Sequence, residues 1–230
     1  MSRLSCAAFP PLVTMLLLAS VFSGETPAQG LAEPELVNIT TADGVKLKGA
    51  FYKSAKMTAA PTVIMLHPIG DGKSMQTKEW KSLAEALQKA NYSVMMFDFR
   101  GHGDSTTIDK QNLFWAMQAN VTNVKTKNKA EIEVKDYIKQ GGAYLPVLVN
   151  DIAAVRAYLD SRNDDIKDCN TSSIIVIGAD AGATLGALWI NSEWYRYKFT
   201  PDKMYPLAFE IKKASNYSDR PATTSSGPCS

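Results

Sequence analysis

Histidine and cysteine are scarce in this chain of 230 residues. The histidines are His67 and His102, and the cysteines are Cys6, Cys169 and Cys229. No spacing among them resembles the ligand pairs that hold a zinc ion, and no glycine-rich loop of the kind that cradles phosphates occurs. The sequence therefore predicts a protein that holds no metal and no other cofactor.

A strong charge of one sign is also absent. Lysine and arginine number 25 and aspartate and glutamate 23, which gives a net charge of +2 and a pI near 8.3. So mild a balance creates no field that would attract nucleic acid or an anionic membrane surface. We therefore expect no nucleic-acid partner, whereas the 45% of apolar residues is ample for the core of a globular domain.

Long apolar runs are missing as well. The run Leu12–Phe22 has eleven residues without a charge, whereas a helix that crosses a bilayer needs about 20. Arg3 precedes the run and the small residues Ser23 and Gly24 follow it, as in a signal peptide. We predict a signal peptide over residues 1–30 and export to the periplasm or the extracellular space, with no membrane span in the mature chain. An N-terminal membrane anchor is the alternative.

Export would leave two cysteines in an oxidising compartment, because Cys6 lies within the predicted signal peptide. Cys169 and Cys229 then either form a disulfide or stay free, and two cysteines alone do not decide between these. The chain also contains five N-x-[ST] sequences, which accept a glycan in hosts that glycosylate exported proteins. These begin at Asn38, Asn91, Asn120, Asn170 and Asn216.

Short apolar runs between turn residues predict strands, and apolar residues at helical spacing predict helices. The predicted strands are Glu35–Thr41, Val45–Tyr52, Thr62–Leu66, Tyr92–Phe99 and Ser173–Ile177. The predicted helices are Glu79–Ala90, Asn150–Ser161 and Ala183–Ile190. Apolar strands that alternate with helices need crossover connections, which place helices on both faces of a parallel sheet. We therefore predict an α/β fold of three layers, a doubly wound and mostly parallel sheet with an antiparallel hairpin at one edge.

We assign residues 31–200 to one domain. Its segment 110–148 is rich in lysine, asparagine and glutamine, which is typical of a solvated insertion; a mobile flap over the site is the alternative. Residues 201–230 are predicted to form an irregular tail, with one further strand candidate at Met204–Lys212 and a disordered end at 218–230.

The segment Gly178–Gly182 (GADAG) follows the last predicted strand and precedes a helix. This is the layout of a nucleophile elbow, in which the central residue of G-x-nucleophile-x-G projects from a strained turn. Small flanking residues are needed because strand and helix approach each other closely. The N-terminus of the helix faces the reacting atoms and favours developing negative charge. The sequence thus places Asp180 at the nucleophile position, where serine is usual.

Two more segments follow predicted strands and carry recognisable motifs. Leu66–Gly70 (LHPIG) resembles the H-G-x loop of α/β-hydrolases, and Phe97–Ser105 (FDFRGHGDS) closely resembles their D-x-R-G-x-G-x-S loop. The first hairpin, Asp43–Gly49 (DGVKLKG), fits the D-G-x-x-L-x-G pattern of serine-aminopeptidase-like and lipase-like members. Residues from about 36 to 196 therefore resemble the N-terminal two-thirds of an α/β-hydrolase, with the C-terminal strands missing.

The resemblance implies a strand order of 1-2-4-3-5 and a site at the carboxyl ends of strands three and five. It implies that the N–H groups of Ile69 and Ala181 are the oxyanion donors. It also implies that Asp98, Arg100 and His102 shape the loop after strand four by hydrogen bonding, and do not bind substrate.

Departures from the family pattern leave two functions open. Haloalkane dehalogenases and epoxide hydrolases of this superfamily use aspartate at the position of Asp180 and form an ester with it. The family's histidine normally follows the nucleophile, but none follows Gly182, so His67 is the candidate base. One hypothesis is a hydrolase of small ester- or peptide-like substrates or of carbon–halogen bonds. The other is a non-catalytic binding module or a truncated relic, which the missing histidine favours, and we expect no turnover of esters.

A sheet without its C-terminal strands has an exposed edge. Ile174–Ile177 would then be an outer strand although its composition suits burial on both faces. Such a strand pairs readily with another chain. We expect either self-association through this edge or its coverage by Met204–Lys212.

Overall fold

The computed structural model describes residues 31–125, 127–139 and 142–195. The predictions for the signal peptide, the tail 201–230, Cys229 and Asn216 lie outside the described residues. Within the described part of the chain, no helix is long and apolar enough to cross a membrane.

The described strands form one mixed sheet. They are β1 (Glu35–Thr40), β2 (Lys46–Tyr52), β3 (Pro61–Leu66), β4 (Ser93–Phe97) and β5 (Asn170–Gly178). Their order is β1-β2-β4-β3-β5. β2 pairs antiparallel with both β1 and β4, whereas β3 pairs parallel with both β4 and β5. The predicted strand order and the antiparallel hairpin at one edge are confirmed.

The helices differ more from the sequence prediction than the strands do. They are α1 (Lys78–Lys89), α2 (Gln111–Phe114), α3 (Gln118–Asn123), α4 (Val149–Ser161) and α5 (Ala181–Tyr195). α1, α4 and α5 correspond to the predicted helices, whereas the short α2 and α3 are not predicted. The hydroxyl of Thr77 accepts a hydrogen bond from the Trp80 N–H at 3.5 Å and so caps the start of α1.

Apolar residues of the central strands alternate between the two faces of the sheet. Val63 and Met65 of β3 pack in the same cluster as Ala84 of α1. Ile64 and Leu66 belong to a larger cluster that includes residues of α4 and α5. Because both faces are covered, β3 is a continuous apolar run. Helices therefore lie on both faces, and the predicted three-layer α/β architecture is confirmed.

The segment 110–148 is anchored in the larger core cluster. Its buried members include Phe114, Val124, Ile132, Tyr137 and Tyr144. The lysines that predict a solvated insertion are all exposed: Lys125, Lys127, Lys129, Lys135 and Lys139. The described residues of the segment thus combine exposed lysines with buried apolar residues.

β5 has a strand partner on one side only within the described residues. The side chain of Ile175 is 41% exposed, so β5 is not buried on both faces at this residue, contrary to what its composition suits. α5, which follows β5, also exposes Leu188, Ile190 and Trp194. The expected apolar edge is therefore present in the described part of the chain.

Cys169 lies directly before β5 and is a free, buried cysteine. Its thiol donates to the Leu159 carbonyl oxygen at 3.4 Å, and burial raises its pKa to about 12. Among the described residues, Cys169 therefore has no disulfide partner.

Candidate active site

The turn between β5 and α5 has the geometry of a nucleophile elbow. β5 ends at Gly178, α5 begins at Ala181, and Asp180 between them has a φ of 51°. A residue held in the left-handed region at such a turn is strained by about 1–3 kcal/mol and depends on its surroundings. Here the Ala179 N–H donates to the Leu66 carbonyl oxygen at 3.1 Å, which ties the elbow to the end of β3.

Two glycines make this turn sterically feasible. A Cβ on Gly182 would lie 2.4 Å from the His67 carbonyl oxygen, and one on Gly178 would lie 2.5 Å from the Ala183 Cα. Both distances are too short for a side chain, so both positions require glycine. The close approach that the motif predicts is present, and the loop after β3 lies directly beside the elbow.

The side chain of Asp180 is exposed at the start of α5. The first N–H groups of a helix have no acceptor within the helix, and the positive end of the helix dipole favours an anion there. The elbow therefore presents a solvent-accessible carboxylate at the nucleophile position, next to backbone donors.

His67 is buried, and both of its ring nitrogens are engaged. The Phe99 N–H donates to Nε2 at 3.1 Å, so the ring proton is on Nδ1, which donates to the Pro68 carbonyl oxygen at 2.7 Å. Burial lowers the pKa of His67 to about 4. A general base needs a free lone pair within reach of the proton that it removes. His67 offers none, so this geometry argues against the predicted base.

His102 lies beside His67 and has the same hydrogen-bond arrangement. The Gly70 N–H donates to its Nε2 at 3.1 Å, and its Nδ1 donates to the Arg100 carbonyl oxygen at 3.1 Å. The two imidazole centroids are 5.1 Å apart. Burial, and then the neighbouring His67, lower the pKa of His102 to about 4. Both histidines are therefore neutral near pH 7 and bonded to loop backbone, in keeping with the loop role predicted for His102.

Asp98 is a fully buried carboxyl group next to these rings. Its Oδ1 accepts a hydrogen bond from the Met75 N–H at 2.7 Å and lies 3.7 Å from His67 Nε2. Burial raises the pKa of Asp98. The residue thus links the end of β4 to the segment before α1. Among the described residues, no group of three or more His, Cys, Asp or Glu side chains is arranged to hold a metal ion.

Arg100 is the centre of a buried polar cluster. Its guanidinium lies 2.6 Å from Asp43 Oδ2 and 2.6 Å from Asp151 Oδ1. Burial alone would raise the pKa of Asp43, but the Arg100 guanidinium holds it below its usual value. Asn120 donates to Asp43 at 3.1 Å and accepts from the Tyr144 hydroxyl at 2.7 Å. The cluster therefore joins the first hairpin, the loop after β4, the insertion and α4.

Sequence reasoning identifies Arg100 and misses most of its partners. Asp151 is an acidic residue with apolar neighbours, since the run Val147–Val149 precedes it and Ile152 follows it. A charged residue among apolar ones indicates a buried ion pair. Asn120 carries no such signal, because the insertion around it has the composition of a solvated segment. Asn120, which begins one of the N-x-[ST] sequences, is instead fully buried.

The predicted oxyanion donors belong to two segments that the elbow brings together. Ala181 is the first residue of α5, and Ile69 lies in the loop after β3 that contacts Gly182 through His67. No hydrogen bond among the described residues uses the N–H of Ile69 or of Ala181. Their action on a substrate stays a prediction.

Comparison with known proteins identifies the family. A sequence model of the alpha/beta hydrolase fold matches residues 61–192. Among solved structures, the chain is similar to a serine hydrolase without a lid from Xanthomonas campestris (19% identity, 70% of this chain and 57% of that chain, TM-score 0.43). It is also similar to an esterase from Pyrococcus furiosus (24% identity, 66% and 42%, TM-score 0.40) and to an α/β serine hydrolase homologue from Coxiella burnetii (19% identity, 73% and 60%, TM-score 0.41).

The chain spans between 42% and 60% of the length of these three proteins. A search of curated proteins finds no match. The family match covers more than half of the sequence and includes β3, β4, the loop that holds Arg100 and the elbow. The chain therefore belongs to the α/β-hydrolase fold family.

Proposed function

We propose that this protein is an exported hydrolase whose elbow acts on small ester- or peptide-like substrates or on carbon–halogen bonds, with Asp180 as the nucleophile. The observation that supports this most is the exposed carboxylate of Asp180 in a left-handed turn at the start of α5. Strained backbone of this kind clusters at active sites, where it projects a reacting group from a rigid scaffold.

The first step of this proposal needs no base. One carboxylate oxygen of Asp180 attacks the substrate carbon, a carbon–oxygen bond forms, and the leaving group departs with its electron pair. For a carbon–halogen bond the products are a halide ion and an ester on Asp180. A serine in the same place would need a base to accept its proton, and the ring nitrogens of His67 and His102 are already engaged.

Release of the product requires water to attack the carbonyl carbon of that ester. Negative charge then develops on the carbonyl oxygen of Asp180, for which the N–H groups of Ile69 and Ala181 are the proposed donors. A positioned base that deprotonates the water accelerates such a step roughly 100- to 10,000-fold. Because neither histidine has a free nitrogen, we propose that the ester on Asp180 accumulates and that turnover is slow.

Intact-mass measurement after incubation with short bromoalkanes tests the first step. The wild-type protein should gain one alkyl group, which peptide fragmentation should locate on Asp180. Asp180→Asn has nearly the same shape without the negative charge and should gain none, whereas Asp71→Asn, which alters another exposed carboxylate, should behave like the wild type. An adduct that forms equally in Asp180→Asn would rule out Asp180 as the nucleophile.

A non-catalytic binding module is the second candidate function. The occupied nitrogens of His67 and His102 favour it, because they leave no described histidine for acid–base chemistry. A panel of p-nitrophenyl esters extends the first experiment to acyl substrates. No adduct and no turnover would leave the elbow with a purely structural role, whereas sustained turnover that Asp180→Asn abolishes would establish an enzyme that uses Asp180.

Export through residues 1–30 is a separate part of the proposal. Its support is the sequence pattern of Arg3 followed by the apolar run Leu12–Phe22. Secreted protein should have lost about 23 to 30 residues by intact mass, within the usual length of a signal peptide. Recovery of the full-length chain from the cytosol would contradict export.

A further inference from the structure

Two buried imidazoles hold the backbone on either side of Ile69. His67 Nδ1 donates to the Pro68 carbonyl oxygen at 2.7 Å, and His102 Nε2 accepts a hydrogen bond from the Gly70 N–H at 3.1 Å. The Pro68 carbonyl belongs to the peptide group before the Ile69 Cα, and the Gly70 N–H belongs to the peptide group after it. Each histidine therefore bonds one of the two peptide groups that flank Ile69.

These bonds determine the direction of the Ile69 N–H. The Pro68 carbonyl and the Ile69 N–H are parts of one peptide group, which is planar, and the described chain contains no cis peptide bond. In a trans peptide group the C=O and N–H bonds point in opposite directions. Since the Pro68 oxygen points at the His67 ring, the Ile69 N–H points away from that ring, and no described residue accepts a hydrogen bond from it.

The rings are themselves fixed from the opposite side. His67 Nε2 accepts from the Phe99 N–H at 3.1 Å, and His102 Nδ1 donates to the Arg100 carbonyl oxygen at 3.1 Å. Phe99 and Arg100 follow β4, and Arg100 is held by the buried polar cluster described above. Each histidine thus bridges the loop after β4 to the loop after β3, and all four ring nitrogens bond backbone atoms.

We infer that His67 and His102 are positioning residues that together orient the Ile69 N–H as a hydrogen-bond donor of the site. A histidine that only fills the core needs partners for its nitrogens, but this need does not explain why two rings bond consecutive peptide groups of one loop. The inference rests on the proposed function for what the Ile69 N–H does, whereas the orientation of that N–H can be measured without any substrate.

The clamp formed by His67 and His102 requires neutral rings. Asp98 Oδ1 lies 3.7 Å from His67 Nε2, and the Tyr137 hydroxyl lies 3.4 Å from His102 Nδ1. The guanidinium of Arg100 is bonded to carboxylates and does not compete for either ring. A proton on either Nε2 would face a backbone N–H donor at 3.1 Å, so the hydrogen bond at that nitrogen would be lost.

Paired substitutions distinguish the effect of the hydrogen-bonding ring nitrogens from the effect of the size of the rings. His102→Gln keeps an acceptor near the Nε2 position, whereas His102→Phe keeps a ring without one. His67→Asn keeps a donor near the Nδ1 position, and His67→Phe is its apolar counterpart. Amide exchange at Gly70 reports the His102 bond, and the one-bond N–H residual dipolar coupling of Ile69 reports the orientation of its peptide group. Both are measured by NMR on the full chain.

The Phe variants should show an altered coupling at Ile69, and His102→Phe should show amide exchange at Gly70 that is about tenfold faster. The Gln and Asn variants should stay near the wild type in both readouts. Neither readout needs alkylation of Asp180. If these NMR results are obtained but no adduct forms on Asp180, the proposed function is wrong and the inference about His67 and His102 still holds. Folded Phe variants with the wild-type coupling and exchange would overturn the inference. If the Phe variants do not fold, the wild-type imidazole nitrogen shifts decide: a proton on Nδ1 of both rings is expected, and a proton on Nε2 of either ring overturns the inference.

Discussion

The backbone N–H and the side chain of Arg100 both bond the carboxylate of Asp151. The N–H donates to Oδ2 at 3.0 Å, and Nε and Nη2 donate to Oδ1 at 2.9 and 2.6 Å. Arg100 follows β4 and Asp151 lies in the first turn of α4, so the pair ties the loop beneath the site to the helix layer. Asp43 of the first hairpin meets the same guanidinium from another side. Three elements that are distant in the sequence are thereby fixed together.

Asp151→Ala should destabilise the protein strongly. It leaves the fully buried Arg100 guanidinium with Asp43 as its remaining carboxylate, and removing one partner of a buried ion pair costs about 3–5 kcal/mol. Urea denaturation measures the loss of unfolding free energy. Asp109→Ala is the matched control, because the Lys46–Asp109 pair is partly exposed and should contribute less than about 1 kcal/mol. Equal losses in the two variants would contradict the anchoring role of Asp151.

Gly182→Ala should lower the unfolding free energy by about 1–3 kcal/mol, as overpacking does. The new Cβ would lie 2.4 Å from the His67 carbonyl oxygen, a backbone atom that cannot easily move. Gly186→Ala in the same helix is the control. Its Cβ would meet the side-chain atoms Leu66 Cδ1 and Val176 Cγ1 at 2.9 and 3.0 Å, which can shift, and alanine favours the helix by about 1 kcal/mol. Thermal unfolding should rank Gly182→Ala well below Gly186→Ala, and the reverse order would show that the elbow is loosely packed.

Local sequence patterns predict the sheet and the elbow because their physical causes are local. β3 is apolar at nearly every position because helices cover both faces of the sheet, and its length fits a strand. Gly178 and Gly182 can be recognised in the sequence because no other residue fits where β5 meets α5. The strand order then followed from a resemblance of motifs, and the structure has the same order.

The role of the histidines and the interior of the insertion could not be predicted in this way. The nitrogens of His67 are occupied partly by the N–H of Phe99, a backbone atom 32 residues away that no side-chain pattern records. Asn120 bonds Asp43 across 77 residues, and the lysines around it give the segment a solvated composition. Sequence patterns thus predict which residues lie near the site, whereas only the folded structure determines which ring nitrogens keep a free lone pair.

Ile175→Lys should reduce self-association through the edge of β5. Ile175 is 41% exposed on an outer strand, and a lysine on such an edge opposes pairing with another chain. Sedimentation velocity over a range of concentrations should show association in the wild type and less in the variant. Leu36→Lys, on the opposite outer strand β1, is the matched control, since Leu36 is also exposed. A wild-type protein that is monomeric at every concentration would remove the basis for this proposal.

The two neutral histidines should make the protein less stable as the pH falls from about 6.5 to about 4. Burial lowers the pKa of His67 and His102 to about 4 in the folded chain, whereas an unfolded histidine titrates near 6.5. Between these values the unfolded chain binds more protons, so this contribution to the free energy of unfolding is complete above about pH 6.5 and is lost as the pH falls. Each histidine accounts for a loss on the order of 3 kcal/mol. Asp98, whose pKa burial raises, acts in the opposite direction near the lower end.

His102→Gln isolates one of these contributions, because glutamine can accept the hydrogen bond from Gly70 but does not titrate. Urea denaturation at several pH values between about 7 and 4 gives the stability of the wild type and of the variant. Titration of the carboxylates other than Asp98, which interacts with His102, is common to both proteins and cancels in their difference. The advantage of the wild type should therefore shrink as the pH falls through this window. A difference that stays constant with pH would mean that His102 has the same pKa in the folded and unfolded chain, which is incompatible with a buried ring that accepts a hydrogen bond at Nε2.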